Sequence, residues 1–368
     1  MSEAARAQVP EEAATPRTER GDDPGFLLDF WYPAARSSEI RGRRLLTAML
    51  LEVPLVLGRT DEGKAFAMRD SCPHRGIPLS YGCFDGKNVE CSYHGWRFDG
   101  LSGQCVEIPS LTTQDKLKTE RIFAGHYPCE EQDGYVWVYM ASRGRVGPVP
   151  VAPRLSTFSN GYRNTHLACE LPSHIDHGII GLMDPAHGPF VHQSWFWRSQ
   201  KSIHEKAKQF EPIPNGFRMS PHSPSSNSAP YQLLKKMTGA PVTTVIDFVL
   251  PNMRTEEIRS GKLWFSSLTT VTPVRRDLCR IDFLAAWNVP LPVALFRVFA
   301  KTFLRQDQQT MIQQAEGLKH NPRLMLIDDA DRPAKWYFAL KANLLEARRT
   351  GAEMAHPMDG PVTLRWRS

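Results

Sequence analysis

The sequence lacks the features of a membrane-spanning protein, a disulfide-bonded protein and a nucleic-acid-binding protein. No apolar run reaches the roughly 18 residues of a transmembrane helix, and residues 1–25 lack the apolar core of a signal peptide. Seven cysteines make a poor disulfide framework. A formal net charge of +6 on 368 residues is too mild to indicate nucleic acid. We therefore expect a cytoplasmic protein with reduced thiols and with a disordered tail at residues 1–25.

The remaining chain divides into two regions of different composition. Residues 26–150 contain short strand-like segments separated by glycine and proline turns, which predicts an all-β domain. The Pro/Gly-rich text "SRGRVGPVPVAPRLS" indicates a boundary. Residues 151–368 contain helix-like text, a polar segment over 198–240 that we interpret as a loop, three or four strands within 243–287, and a long helix over 293–318. The predicted fold class is α+β, with a central antiparallel sheet and a long C-terminal helix in the second domain.

Cysteine and histidine occur in two tight pairs within residues 71–97. The first pair is Cys72-x-His74 and the second is Cys91-x-x-His94. A zinc finger usually has two cysteines on one arm and two histidines on the other, whereas each arm here has one of each. This mixed pairing resembles the Rieske [2Fe–2S] centre, in which two histidines replace two cysteines on one of the irons. The resemblance implies that the two cysteines hold one iron and the two histidines hold the other.

The alternative interpretations of these pairs are a zinc site and a set of unrelated buried residues. Cys83 lies between the two arms, and it does not match the additional cysteine pair of the respiratory Rieske proteins. We expect it to be a buried thiol, and we expect the same of the remaining four cysteines, Cys105, Cys129, Cys169 and Cys279. On the resemblance, residues 26–150 form the Rieske domain.

A second set of candidate metal ligands follows in the text "GLMDPAHGPFVH", which contains Asp184, His187 and His192. This segment resembles the iron-binding helix of Rieske non-haem iron oxygenases. Two histidines and a distant carboxylate form the facial triad of a non-haem Fe(II) site with open positions for O₂. If the two Cys/His pairs of residues 71–97 did not precede them, His187 and His192 would be interpreted as ordinary core residues. The family often has asparagine where this chain has Gly181, and His174 and His177 are possible substitute ligands.

The third ligand is predicted in the long helix. Phe303, Asp307 and Met311 share one face of that helix, at spacings of four residues. An ionised carboxylate on an apolar face is costly unless it is paired or binds a metal, which makes Asp307 the candidate. Glu316 lies about half a turn round from Asp307 and should face elsewhere. On the resemblance, residues 151–368 are therefore a catalytic domain with a mononuclear iron held by His187, His192 and Asp307.

Asp184 has a different role in the family, which is to connect the two metal centres. The resemblance implies that its carboxylate hydrogen-bonds a cluster histidine of a neighbouring subunit and a histidine of the mononuclear iron. In this chain the path would run from His94 of one subunit to Asp184 and His187 of the next. Such a path implies a head-to-tail homotrimer.

The sequence contains no reductase module, because it has neither a GxGxxG motif after a strand nor a plant-type Cys-x₄-Cys-x₂-Cys run. Electrons are therefore expected from a separate ferredoxin or flavin reductase, and indirectly from NAD(P)H. The chain resembles the homotrimeric monooxygenase and demethylase branch of the family. We expect it to hydroxylate or oxidatively demethylate an apolar substrate, with a sterol or similar polycyclic lipid as the best candidate.

Large apolar residues are the basis for that substrate prediction. The candidates for the pocket wall are Leu182, Met183, Phe190, Trp195, Phe196, Trp197, Trp264, Phe265 and Trp287. The helix text "ALFRVFAKTF", with its two cations, could also contact a membrane surface. Three alternatives stay open: an aromatic O- or N-demethylase or ring hydroxylase, a Rieske electron-transfer protein without oxygenase activity, and a zinc-stabilised binding protein.

Overall fold

A computed structural model describes residues 25–155, 161–192, 203–223 and 229–368. The chain divides into two compact units. The first unit is Met1–Arg154 with Pro273–Arg275, and the second is Leu155–Thr272 with Arg276–Ser368. The predicted disordered tail lies outside the described residues except for Gly25.

The first unit is built from short β-strands joined by turns, as predicted. Its strands are β1 (Phe30–Arg36), β2 (Leu46–Leu50), β3 (Val53–Arg59), β4 (Ala65–Arg69), β5 (Cys83–Phe84), β6 (Asn88–Glu90), β7 (Arg97–Asp99), β8 (Cys105–Glu107), β9 (His126–Tyr127), β10 (Cys129–Gln132) and β11 (Tyr135–Met140). Three single-turn 3₁₀ helices connect some of them, at Ser37–Glu39, Leu79–Tyr81 and Thr119–Arg121.

The strands of the first unit form three antiparallel sheets. Their strand orders are β1-β11-β10, β2-β3-β4-β9 and β5-β6-β7-β8. Phe66 and Phe98 are almost fully buried in a core that also contains Cys72 and Cys91. The two Cys/His loops are the β4–β5 and β6–β7 connections, so the small third sheet and this core hold both loops in place.

In its described residues the second unit contains one large sheet and five α-helices. Its strands are β12 (Arg163–Leu171), β13 (Glu205–Ile213), β14 (Gly216–His222), β15 (Thr243–Val249), β16 (Met253–Ser260), β17 (Leu263–Arg275), β18 (Leu278–Trp287) and β19 (Val362–Arg367). The helices are α1 (Ile175–Met183), α2 (Gly188–Val191), α3 (Ala229–Thr238), α4 (Val293–Leu318) and α5 (Arg332–Thr350). The sheet is antiparallel, in the order β12-β18-β17-β16-β15-β14-β13-β19. The α+β prediction is confirmed for this unit.

The prediction of a loop over 198–240 is wrong for the part of that segment that the structure describes. β13 and β14 form a hairpin there, with Asn215 at φ 57° in its turn, and α3 follows. In β13 exposed residues alternate with the partly buried Lys206 and Lys208, and Phe210 is buried. A strand whose partly buried positions are lysines looks polar in the sequence, because a lysine can cover apolar surface with its methylene groups, and this explains the error.

Helix α4 begins and ends at the residues predicted from the sequence. Pro292 precedes its first residue, where the missing N–H of proline costs nothing. Gln308 Nε2 donates to the Glu170 carbonyl at 2.7 Å, which fixes the helix to the edge strand β12. Among the described helices, none has the length and apolarity needed to cross a bilayer.

Cys83 is exposed, and its prediction as a buried thiol is wrong. β5 has two residues, and successive side chains of a strand point to opposite faces. Phe84 faces inward, with its ring centroid 5.2 Å from that of Phe66, so Cys83 faces solvent. Cys105 and Cys279 are buried, and Cys129 and Cys169 are partly buried.

Candidate functional site

The two Cys/His loops of the first unit share one backbone pattern. Gly76 N–H donates to the Cys72 carbonyl at 2.8 Å, and Gly95 N–H donates to the Cys91 carbonyl at 3.0 Å. The two cysteine N–H groups donate to the carbonyls of the residues five positions on, at 2.8 Å in each loop. Both glycines have positive φ, at 74° and 69°, which glycine adopts without strain. The sequence therefore folds into two matched loops, each offering one thiol and one imidazole.

The two cysteines are adjacent and buried, with exposed fractions of 2% and 3%. Burial raises the pKa of the Cys72 thiol to about 11, and the neighbouring Cys91 thiol adds to this increase. Backbone N–H groups of His74 and Arg75 oppose it, because they donate toward the Cys72 sulfur. N–H groups aimed at sulfur are what a metal-bound thiolate requires. The pair therefore fits a site in which iron replaces the thiol protons.

The two histidines of these loops also lie side by side. The ring centroids of His74 and His94 are 4.6 Å apart, and the indole of Trp96 stacks on His74 at 4.7 Å with an interplanar angle of 7°. Two thiols and two imidazoles on paired loops are the donor set of a Rieske [2Fe–2S] cluster, which Cys72, His74, Cys91 and His94 would hold. Trp96 was missed from the sequence, although it follows the second arm directly.

In the second unit, a short turn of helix brings the two predicted histidines together. His187 caps the N-terminus of α2 and His192 caps its C-terminus, so a single helical turn separates them. Their Nε2 atoms are 3.2 Å apart, and His192 is only 8% exposed. The cap positions direct both rings toward α4, where Phe303 contacts the ring of His192 with centroids 4.6 Å apart.

Asp307 on α4 supplies the carboxylate next to these rings. Its Oδ1 lies 3.1 Å from His192 Nε2 and 4.0 Å from His187 Nε2. The donor atoms of the three residues all lie within 4.8 Å of one another, and this is a candidate metal-binding group within the described part of the chain. Adjacent ligands of an octahedral ion with bonds of about 2.1 Å are separated by about 3 Å. The three residues therefore fit one face of a six-coordinate iron.

Asp184 positions His187. It ends α1, its carboxylate accepts from Ala186 N–H at 2.7 Å, and its carbonyl lies 2.9 Å from His187 Nδ1. The carboxylate oxygen Oδ2 is farther from that nitrogen, at 3.5 Å. Burial acts to lower the pKa of His187, but Asp184 and Asp307 outweigh it, so the pKa is raised. Nδ1–H donates to Asp184, which leaves the Nε2 lone pair free for a metal.

Gln306 positions the second histidine and was missed from the sequence. Its Oε1 lies 3.2 Å from His192 Nδ1, so the ring donates from Nδ1 and presents Nε2 to the candidate site. Gln306 precedes Asp307 and is rotated from it by ~100° around the helix. Gln306 therefore lies off the apolar helix face from which Asp307 was predicted, and the periodicity of that face did not indicate its role.

We expect the substitution Gln306→Ala to weaken iron binding at His187, His192 and Asp307 by about 10–100-fold, because the imidazole loses the acceptor that holds its orientation. Gln306→Glu keeps an acceptor oxygen and should restore most of the affinity. Anaerobic titration with Fe(II) or Co(II), followed spectroscopically, measures the effect. Gln309→Ala on the exposed side of the same helix is the matched control, and equal affinities for both alanine variants would contradict the assigned role.

Several other candidates lie apart from this group. His174 caps α1 and accepts from Asp176 N–H at 3.2 Å, and neither it nor His177 belongs to the three-residue cluster. Glu316 forms an exposed ion pair with Lys319 at 2.5 Å, as its position on the helix predicted. At Gly181 an added Cβ would contact Met311 Cε at 3.7 Å. The space that the family fills with asparagine is therefore bordered here by the Met311 thioether.

The predicted pocket residues divide into core and surface. Trp287 is buried against Phe296, with centroids 4.4 Å apart, and its indole N–H donates to the Leu291 carbonyl at 2.9 Å. Phe265 also packs on Phe296, at 5.6 Å, whereas Phe190 is 54% exposed. Leu182 and Met183 end α1 close to Asp184 and are partly buried. Trp195, Phe196 and Trp197 lie outside the described residues.

Comparison with known proteins identifies the class of the first unit. Residues 30–120 match the family model of the Rieske [2Fe-2S] domain. Chlorophyllide a oxygenase, chloroplastic, from Arabidopsis thaliana is 33% identical over 172 residues, which cover 46% of this chain and 30% of that protein. The 4beta-methylsterol monooxygenase of Methylococcus capsulatus (strain ATCC 33009 / NCIMB 11132 / Bath) is 32% identical over 158 residues, or 42% of each chain.

The fold of most of the chain also has a known counterpart. The structure of the NdmA QL mutant of Pseudomonas putida CBB5 with theobromine superposes with a TM-score of 0.71. That match covers 91% of this chain and 96% of the other, at 19% identity, and it concerns the fold alone. The first four curated relatives are matched over only 25% to 38% of their own length.

The chain therefore contains a Rieske domain, whose cofactor is a [2Fe–2S] cluster, followed by a large antiparallel sheet with C-terminal helices. Its sequence motifs and its fold are similar to those of the Rieske non-haem iron oxygenases.

Proposed function

We propose that the chain is the oxygenase component of a Rieske monooxygenase system. The observation that carries the proposal is the convergence of His187, His192 and Asp307, whose donor atoms lie within 4.8 Å of one another in a chain that also contains a Rieske domain. A pure electron carrier would have no need of a second set of histidine and carboxylate ligands. When bound, the mononuclear iron supplies the site at which O₂ is activated.

The residues around that iron have separate roles in the proposal. His187, His192 and Asp307 would hold the metal through their side-chain donor atoms. Asp184 and Gln306 fix the ring orientations through the two Nδ1 atoms. The side chain of Asp184 is 33% exposed, so an oxygen of its carboxylate is accessible to an imidazole of another subunit. This accessibility supports the path from His94 of a neighbouring subunit through Asp184 to His187, in a head-to-tail homotrimer.

Electrons would come from a separate ferredoxin or flavin reductase that draws on NAD(P)H. The cluster ligand His74 lies at an exposed position of its loop, and Tyr81 and Tyr93, which lie near the cluster ligands in sequence, are 76% and 54% exposed. An exposed cluster edge supports transfer from, or to, another protein surface without an intervening layer of protein.

The substrate in this proposal is a large apolar molecule, with a sterol or similar polycyclic lipid as the first candidate. Two sequence relatives are named for chlorophyllide a and for a methylsterol, which supports a polycyclic substrate. Met311 borders the space next to Gly181, and this apolar boundary suits an apolar molecule. The reaction would be hydroxylation or oxidative demethylation of such a molecule.

The experiment that tests the proposal is incubation of the iron-loaded protein with a ferredoxin, its reductase, NADH and ¹⁸O₂. A panel of methylsterols, methoxylated aromatic compounds and N-methylated purines serves as substrates. Mass spectrometry should detect one ¹⁸O atom in a product, or in the formaldehyde that a demethylation releases. Turnover of the purines or aromatic compounds without turnover of the sterols would favour the alternative function, an aromatic O- or N-demethylase. A protein with full iron content that reduces and reoxidises its cluster but incorporates no ¹⁸O into any of them would contradict the monooxygenase function.

A further inference from the structure

One end of the large sheet in the second unit gathers four segments of the chain. The β16–β17 turn lies at its centre. Thr238 at the end of α3 contacts this turn, since its Oγ1 is 2.6 Å from Ser260 Oγ. On the other side, Asn288 ahead of α4 donates from Nδ2 to the Lys262 carbonyl at 2.8 Å. The start of β12 joins them, because Tyr162 packs edge-on against Trp264 with centroids 4.9 Å apart.

These four segments are residues 161–165, 229–243, 260–265 and 288–301, and we call their meeting place the basic end. Their sequences contain no aspartate and no glutamate. They contain six exposed cations, which are Arg163, Lys235, Lys236, Lys262, Arg297 and Lys301. The nearest acids along β16, Glu256 and Glu257, are each paired with an arginine of the same strand. The six charges therefore remain uncompensated by these segments and their neighbouring strand.

The basic end also exposes apolar side chains between its cations. Leu233 and Met237 of α3 are 59% and 47% exposed, and Leu295 and Val298 of α4 are 46% and 61% exposed. Each pair lies on one helix face, at a spacing of four or three residues. Tyr162 adds an aromatic ring that is 45% exposed. Helices that present aliphatic side chains beside lysine and arginine, without acids, are typical of proteins that lie on a lipid surface.

We propose that the basic end docks on the surface of an anionic lipid bilayer. The cations would lie at the level of the headgroups, and the exposed aliphatic side chains would enter the boundary between headgroups and acyl chains. A two-fold contact between two copies of this face would oppose six cations with the same six, so pairing of this face with itself is disfavoured.

The inference deepens the proposed function and rests on it for the identity of the substrate, since it names the bilayer as the source of an apolar molecule. Helix α4 connects the two places. Leu295 at the basic end precedes Asp307 by twelve residues, which is about 18 Å of helix. An apolar molecule that leaves the bilayer at this end would therefore travel a short distance to reach the candidate iron ligands.

The test is co-sedimentation of the full iron-loaded chain with vesicles, which requires no turnover. We expect binding to vesicles of phosphatidylglycerol and phosphatidylcholine, and at least tenfold weaker binding to phosphatidylcholine alone or in about 0.5 M NaCl. The double substitution Lys235→Glu/Lys236→Glu should weaken binding to the anionic vesicles at least tenfold. Leu295→Ser/Val298→Ser should weaken it several-fold while retaining the salt dependence.

The first unit offers a matched control in the exposed text "KLK". Lys116→Glu/Lys118→Glu makes the same change of charge, and Leu117→Ser removes an aliphatic side chain that is 53% exposed. Both variants should bind vesicles like the unsubstituted protein. Cluster absorbance and iron content establish that every variant is folded.

Three results would overturn the proposal. The first is an unsubstituted protein that does not bind anionic vesicles, and the second is a basic-end variant that binds as well as the controls. The third is a change of oligomeric mass in light scattering with unchanged vesicle binding, which would make the face an interface between copies of the chain. Absence of ¹⁸O incorporation would leave the vesicle result standing, so failure of this inference is distinguishable from failure of the proposed function.

Discussion

The His187→Ala protein is expected to lose about one of three irons per chain, to keep its Rieske absorbance and to form no detectable product. His192 Nε2 and Asp307 Oδ1, 3.1 Å apart, would remain as two ligands. Two ligands hold a divalent ion far less tightly than three, so the site should empty during purification. The cluster ligands belong to the first unit, whose loops the substitution does not touch.

Iron and acid-labile sulfide analysis measures the first two effects, and product formation with ¹⁸O₂ measures the third. His320→Ala removes an exposed histidine near the end of α4 and should leave iron content and turnover unchanged. If the His187→Ala protein still oxidised substrate, the mononuclear site would have to lie elsewhere. Zinc without sulfide in the unsubstituted protein would favour the binding-protein alternative.

The grouping of the candidate metal ligands could be predicted from the sequence because their local motifs resemble those of a known family. The two Cys/His arms sit in loops whose glycines and hydrogen bonds are local, and the histidines of α2 are five residues apart. Asp307 is distant in sequence, but the helical period placed it on an apolar face. In the structure its carboxylate does lie beside both histidines.

Contacts that depend on side-chain direction could not be predicted. Gln306 lies outside the apolar face, and only the packing of α4 beside α2 brings its amide to His192. Cysteine is a residue type that is usually buried, yet Cys83 is exposed because its side chain lies on the outer face of a two-residue strand. The β13–β14 hairpin was missed because lysines occupy partly buried positions of β13. In each case tertiary packing decides a question that local patterns leave open.

The basic end is a second feature that the sequence alone did not reveal. Only the helix text "ALFRVFAKTF" with its two cations indicated a membrane contact in the sequence, and the net charge of +6 over the whole chain does not indicate that cations cluster. Hydrogen bonds from Asn288 and Thr238 to the β16–β17 turn bring the segments together. A local concentration of charge then arises from topology, while the average composition stays that of an ordinary globular protein.

Asp184→Asn tests the connection between the two metal centres. The amide keeps the shape of the carboxylate, so its oxygen can still accept from Ala186 N–H. The backbone carbonyl of residue 184 still accepts from His187 Nδ1, which preserves the orientation of the ring. We therefore expect iron and cluster contents equal to those of the unsubstituted protein. The negative charge next to His187 is lost, and with it the acceptor proposed for the imidazole of a neighbouring subunit.

Turnover of the Asp184→Asn protein should fall by about 100-fold or more, because the proposed path between subunits passes through this carboxylate. Single-turnover experiments with a pre-reduced cluster measure its reoxidation by O₂ in the presence of substrate, which should slow in parallel. Asp184→Ala also removes the acceptor for Ala186 N–H, so this variant should lose iron as well. Comparison of the two variants distinguishes the effect of the lost charge from the effect of the lost local hydrogen bond. Asp359→Asn, at an exposed position, is the control for the same chemical change. Cluster reoxidation at the unsubstituted rate would remove Asp184 from the electron path and leave it a capping residue of α1.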